Sequence, residues 1–137
     1  MNVDPVLAAA LAPLLRDLEA GHVPEPRIEE AGPPYFDPSE PSLMLYAPDG
    51  SGQGIRLLAD APRSAQTANL ADQVQEWAVE TLWSIGKSAV WPQCPEHPDS
   101  HPLKPEVANE YTHEAAAVWQ CPKSGHVIAP IGELPAT

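Results

Sequence analysis

The string AVWPQCPEH at residues 89–97 returns as AVWQCPKSGH at residues 117–126. Both copies share Ala-Val-Trp and then Gln-Cys-Pro, and between them they hold the chain's two cysteines, Cys94 and Cys121. A string repeated at this spacing predicts two matching elements, each with β-forming residues running straight into Cys-Pro. The chemistry suits a facing pair. A strand delivers a thiolate to a tight turn, proline fixes the turn's backbone, and a second ligand follows a few residues later. Each copy can then give two of the four ligands of a tetrahedral zinc ion. In the first copy that step is Cys94 and His97.

With these paired Cys-Pro turns, residues 88–137 resemble a zinc ribbon, whose pattern is Cys-x-x-Cys twice on Cys-Pro-x-Cys-Gly knuckles. The resemblance implies a small β-rich appendix stapled by one zinc. This chain departs from the pattern where His97 replaces one cysteine and Ser124 another. His97 keeps a good ligand, while Ser124 does not, so His126 is the expected fourth. The expected metal set is therefore Cys94, His97, Cys121 and His126, with His101 of the loop HPDSHP able to replace either histidine. Three other readings remain open: a relic knuckle pair without metal, a Cys94–Cys121 disulfide, and two unrelated buried thiols. The final stretch AVWQCPKSGHVIAPIGEL is also similar to the C-termini of actinobacterial proteins, which adds no function.

Outward from the motif, Ser64 to Ile85 reads as a long helix. Leu70, Val74, Trp77, Ala78, Thr81, Leu82 and Ile85 recur at helical spacing, and Gly86 is a natural stop. The stripe, Trp77 included, predicts core packing. Trp83 lies off it. Upstream, SLMLYA and GIRLLA flank the turn segment PDGSGQ and predict a hairpin with strands 42–47 and 54–59. Residues 23–41 are proline-rich and predict an extended connection with a short strand near Arg27 to Glu29. Residues 4–20 predict a first helix, capped by Asp4, started by Pro5, apolar along Leu7, Leu11, Leu14, Leu15 and Leu18, and bent or divided at Pro13.

The expected fold is therefore α+β: two helices and a β-hairpin in residues 1–87, with a zinc-ribbon-like β appendix in residues 88–137 packed on them. At 137 residues the chain suits one ordinary core, and an appendix this small needs a staple. Its start has no basic region before the apolar run, and no later run approaches the apolar length of a membrane span, so a cytoplasmic protein is expected.

Seven basic residues against nineteen acidic ones give a formal charge of −12, which argues against phosphate binding and anionic membranes. No phosphate loop, Gly-x-Ser-x-Gly elbow or His-Glu-x-x-His is present. His101, Asn109 and His113 occur in the order of a His-Asn-His metal nuclease, but at the wrong spacing. His22 and His113 read as surface residues, and Glu96, Asp99, Glu106, Glu110 and Glu114 as a solvated acidic face that could supply partners for a ligating histidine. The expected function is a non-catalytic, metal-stabilised protein-interaction module with a protein partner. Two rivals are a metal-dependent hydrolase or nuclease with an open zinc position, and a nucleic-acid-binding zinc ribbon.

Overall fold

The computed structural model describes residues 4–30 and 40–136. Two helices and two antiparallel three-stranded sheets make an α+β fold. Helix α1 (Pro5–Ala20) begins where Asp4 accepts hydrogen bonds from the backbone N–H groups of Val6 and Leu7, and it is closed by Gly21. Both ends match the sequence reading. Pro13 does not divide the helix, which runs through it.

Strands β1 (Arg27–Glu30), β2 (Ser42–Tyr46) and β3 (Gly52–Arg56) form the first sheet in that order. The predicted hairpin is present and the short strand expected near Arg27 to Glu29 joins it as β1, while β3 begins two residues early and ends three residues early. The shift has a local cause. Gly52 lies opposite Tyr46, and a Cβ on Gly52 would come within 2.6 Å of the tyrosine ring, so the glycine lets the ring lie across the strand. The turn occupies residues 47–51, closed by Ala47 N to Ser51 O at 2.8 Å and Gly50 N to Ala47 O at 2.9 Å, with Gly50 at φ +90°. Part of the predicted proline-rich connection, residues 31–39, lies outside the described residues.

Helix α2 (Arg63–Ser84) is capped by Ile85 and followed by Gly86, which adopts φ +74°. It packs on α1, on β3, and on β4 (Lys104–Ala108) and β5 (Ala116–Gln120) of the second sheet, which β6 (Val127–Pro130) completes in the order β4-β5-β6. Leu70, Val74, Trp77, Ala78, Thr81 and Leu82 are all buried, so the stripe is core as expected. Trp83 is 74% exposed. One cluster of buried side chains runs from Leu14 of α1 through Trp77 of α2 to Trp91, Trp119 and both cysteines, so residues on either side of position 88 share a core.

The second sheet is tied to α1 by a buried carboxylate. Asp17 is 1% exposed and accepts from Trp119 Nε1 at 2.7 Å, Gly132 N at 2.6 Å and Leu134 N at 3.1 Å. A charge buried without partners is costly, and three donors offset that cost. The arrangement fixes Trp119, whose ring meets Trp91 edge-on at 5.4 Å. These two tryptophans come from the two copies of the repeated string, which meet inside the core at this pair and at the two buried cysteines.

Candidate metal centre

The two copies deliver their cysteines differently. In the second, β5 runs into Cys121 as predicted, with a register shift between Trp119 and Gln120 just before it. In the first there is no strand, only an isolated bridge between Gln93 and Pro102. This copy, which carries the extra Pro92 with no backbone donor, joins no ladder beyond that bridge. It is held from α2 instead. Gln75 donates to Trp91 O at 3.1 Å and to Leu103 O at 2.6 Å, clasping the base of the loop that carries Cys94, His97 and His101.

Within that loop His97 N donates to Cys94 O at 3.1 Å, and Ser100 N to His97 O at 3.2 Å. Asp99 takes φ +58°, a left-handed conformation that aspartate tolerates better than most residues. The chain doubles back there and returns His101 beside His97, with ring centroids 4.9 Å apart.

Four ligand atoms meet at this point. One donor atom each from Cys94, His97, His101 and Cys121 lies within 4.8 Å of all the others, and this group could hold a metal ion. His97 Nδ1 is 3.6 Å from Cys94 Sγ, 3.5 Å from Cys121 Sγ and 3.0 Å from His101 Nε2. Cys121 Sγ is 4.0 Å from His101 Nε2. Both cysteines are fully buried and both histidines partly so. His101 Nδ1 lies 3.0 Å from Pro102 O, an acceptor, so the proton belongs on Nδ1 and the lone pair of Nε2 faces the cluster.

Three residues of the expected set, Cys94, His97 and Cys121, are brought together. The fourth position is taken by His101. His126 stands apart, its side chain 68% exposed and its Nδ1 2.6 Å from Glu96 Oε2. The backbone explains the difference. Gly125 takes φ +79° and its N–H reaches back to Cys121 O, while His126 O accepts from Cys121 N, so His126 closes the turn with its backbone and its ring points outward. His113 and Asn109 are exposed and belong to no such group. The sequence did carry a signal for His101, since two histidines four apart in a loop bracketed by prolines are brought together by a single left-handed residue.

Electrostatics separate the two thiols. Burial pushes the Cys94 thiol up. Burial also acts on Cys121, but hydrogen bonds from Ser124 and from the backbone of Lys123 outweigh it and bring that thiol down to about 6. The Ser124 N–H lies 3.4 Å from Cys121 Sγ. Ser124, at the position where a ribbon cysteine would stand, thus stabilises a neighbouring thiolate. Its hydroxyl and the His126 ring both bond Glu96, which holds the Glu96 carboxyl below its ordinary value and raises the His126 imidazole above its own. No family model, curated protein or solved structure matches the chain. No helix among the described residues is long and apolar enough to cross a membrane.

Proposed function

We propose that this chain is a non-catalytic protein-interaction module in which one zinc ion, bound by Cys94, His97, His101 and Cys121, staples the loops of residues 88–137 as degenerate zinc-ribbon knuckles. The carrying observation is the mutual spacing of the four donor atoms. A tetrahedron with Zn–S of about 2.3 Å and Zn–N of about 2.05 Å has S···N edges of about 3.5 Å and an N···N edge of about 3.3 Å. The separations of 3.6, 3.5, 4.0 and 3.0 Å match those edges to within about half an ångström.

Ligand chemistry favours zinc over hard cations, since two sulfurs and two imidazoles suit a borderline ion in tetrahedral geometry. Four protein ligands close the shell. A catalytic zinc keeps one position for water, so a closed set argues for a structural role and against the hydrolase reading. The nucleic-acid reading lacks a basic face, since Lys104 pairs with Glu106 and the chain carries −12 overall. A protein partner is supported by Trp83 and Ile85, large apolar side chains exposed at the end of α2.

Elemental analysis of protein purified under reducing conditions tests the staple. About one zinc per chain is expected from the four-ligand set, and it is lost in Cys94→Ser together with the fold of the C-terminal third. Metal-free protein whose C-terminal third is nonetheless folded contradicts it.

A further inference from the structure

The two cysteine loops are joined outside the ligand set by one carboxylate. Glu96 Oε1 accepts from Ser124 Oγ at 2.5 Å, and Glu96 Oε2 bonds His126 Nδ1 at 2.6 Å. Both bonds cross from residues 94–101 to residues 121–126, in addition to the contacts between the four ligand side chains. Ser124 continues the connection. Its Oγ accepts from His126 N at 3.2 Å and its own N–H points to Cys121 Sγ. A continuous path therefore leads from Glu96, which precedes His97, to the sulfur on the opposite loop.

The division of ligands gives this path its consequence. One loop contributes Cys94, His97 and His101, and the other contributes Cys121 alone. The shell opens whenever the second loop swings away, because three ligands on one loop bind a metal ion far more weakly than a closed set of four.

We propose that Glu96 is a latch, a positioning residue that binds the Ser124–His126 turn to the first loop, keeps Cys121 in register with the other three donors, and so slows loss of the ion. The latch rests on the reading of the cluster as a metal site. His126, on this account, serves the centre through the latch and not as a ligand.

The first assay is transfer of zinc from the full chain to a chromogenic chelator. Partners that orient ligands without touching the metal are commonly worth about 10- to 100-fold in affinity, and Glu96→Ala is expected to speed release by at least the lower figure. Glu96→Gln should be slowed back towards wild type, because its amide oxygen can accept from Ser124 and its amide nitrogen can donate to His126. Val74→Ala provides the control for general destabilisation, since Val74 is fully buried on α2 and far in sequence from both loops. It should release zinc at the wild-type rate.

A second assay needs no metal. In the apo protein the Cys94 and Cys121 thiols equilibrate with glutathione disulfide, forming the protein disulfide and two glutathione thiols, and the equilibrium reports the thiols' effective concentration. Glu96→Ala should lower it by about tenfold, the same minimum loss expected from the release assay. Wild-type protein without zinc but with this drop in Glu96→Ala would overturn the metal reading and leave the latch standing as a loop clasp. An unchanged effective concentration, or zinc release no faster than in Val74→Ala, overturns the latch.

Discussion

Replacing Asp17 should uncouple the second sheet from α1 and loosen the loops that carry the cluster. The carboxylate is 1% exposed and takes three hydrogen bonds, two of them at Oδ2. Asp17→Ala strands one fully buried donor, Trp119 Nε1, and two partly buried ones, each costing up to about 1–3 kcal/mol when unpaired, and partial collapse of the site and water access recover some of that. A net loss of about 3–5 kcal/mol is expected. For a chain of this size that corresponds to a Tm fall of about 10–15 °C. Asp17→Asn is the informative companion. An amide oxygen in the Oδ2 position keeps the bonds from Trp119 and Gly132, while its NH2 then faces the Leu134 N–H, so the loss should be about 1–2 kcal/mol. Urea unfolding followed by tryptophan fluorescence gives both values, and near-ultraviolet circular dichroism reports the Trp91–Trp119 pair. A loss below about 1 kcal/mol in Asp17→Ala, or equal losses in the two variants, would refute the claim that these three bonds hold the sheet to the helix.

Three further outcomes follow from the same geometry. His101→Ala should lose zinc, whereas His126→Ala should retain the stoichiometry and merely release the ion faster; metal analysis after gel filtration separates them, and the reverse order would restore His126 as the ligand. In metal-free protein the His126 ring should titrate above 6.5 by NMR and return towards that value in Glu96→Gln. The sign is set by the pair: the raised His126 value means its share of stability is present below pH 6.5 and lost as pH rises through the folded value, while the lowered Glu96 value means its share is present above pH 4.5 and lost as pH falls through the folded value. The ionic clasp is thus intact between those limits, and a His126 midpoint at or below 6.5 would contradict it. Gly132→Ala should destabilise by about 1–3 kcal/mol in thermal melts, a range set by left-handed strain; its φ is +101° and a Cβ there would lie 2.6 Å from the Cβ of Pro13.

Helices were legible because their signals are local. Asp4, Pro5 and Gly21 mark α1, and the stripe with Gly86 marks α2 within a residue at each end. The hairpin was legible in kind but shifted at β3, because the pairing of Gly52 with Tyr46 is cross-strand information that a linear reading lacks. The repeated string marked both cysteine loops, yet its two copies adopt different backbones, an isolated bridge at Gln93 in the copy with the extra proline and the strand β5 in the other. Asp17 was overlooked although it sits on the apolar face of α1, spaced from Leu14 and Leu18 as a core residue would be. A charge in that position signals a buried acceptor, but its donors lie more than a hundred residues away.

At the centre, Cys94, His97 and Cys121 could be read from Cys-Pro spacing, while His101 was legible only as an alternative to His97 or His126. Choosing between His101 and His126 depends on which way two turns face, and that is set by Asp99 at φ +58° and Gly125 at φ +79°. The sequence favoured His126 because Ser124 occupies the position of a ribbon's second ligand and His126 is the next ligand-type side chain after it. Backbone conformation sends its ring to Glu96 instead.

The most direct test of the account is X-ray absorption at the zinc edge on protein isolated under reducing conditions. The account predicts two sulfur scatterers at about 2.3 Å and two imidazole nitrogens at about 2.0–2.1 Å, a spectrum unchanged in His126→Ala and altered in His101→Ala. An edge with no zinc, or a shell in which His126→Ala removes a nitrogen, would contradict it.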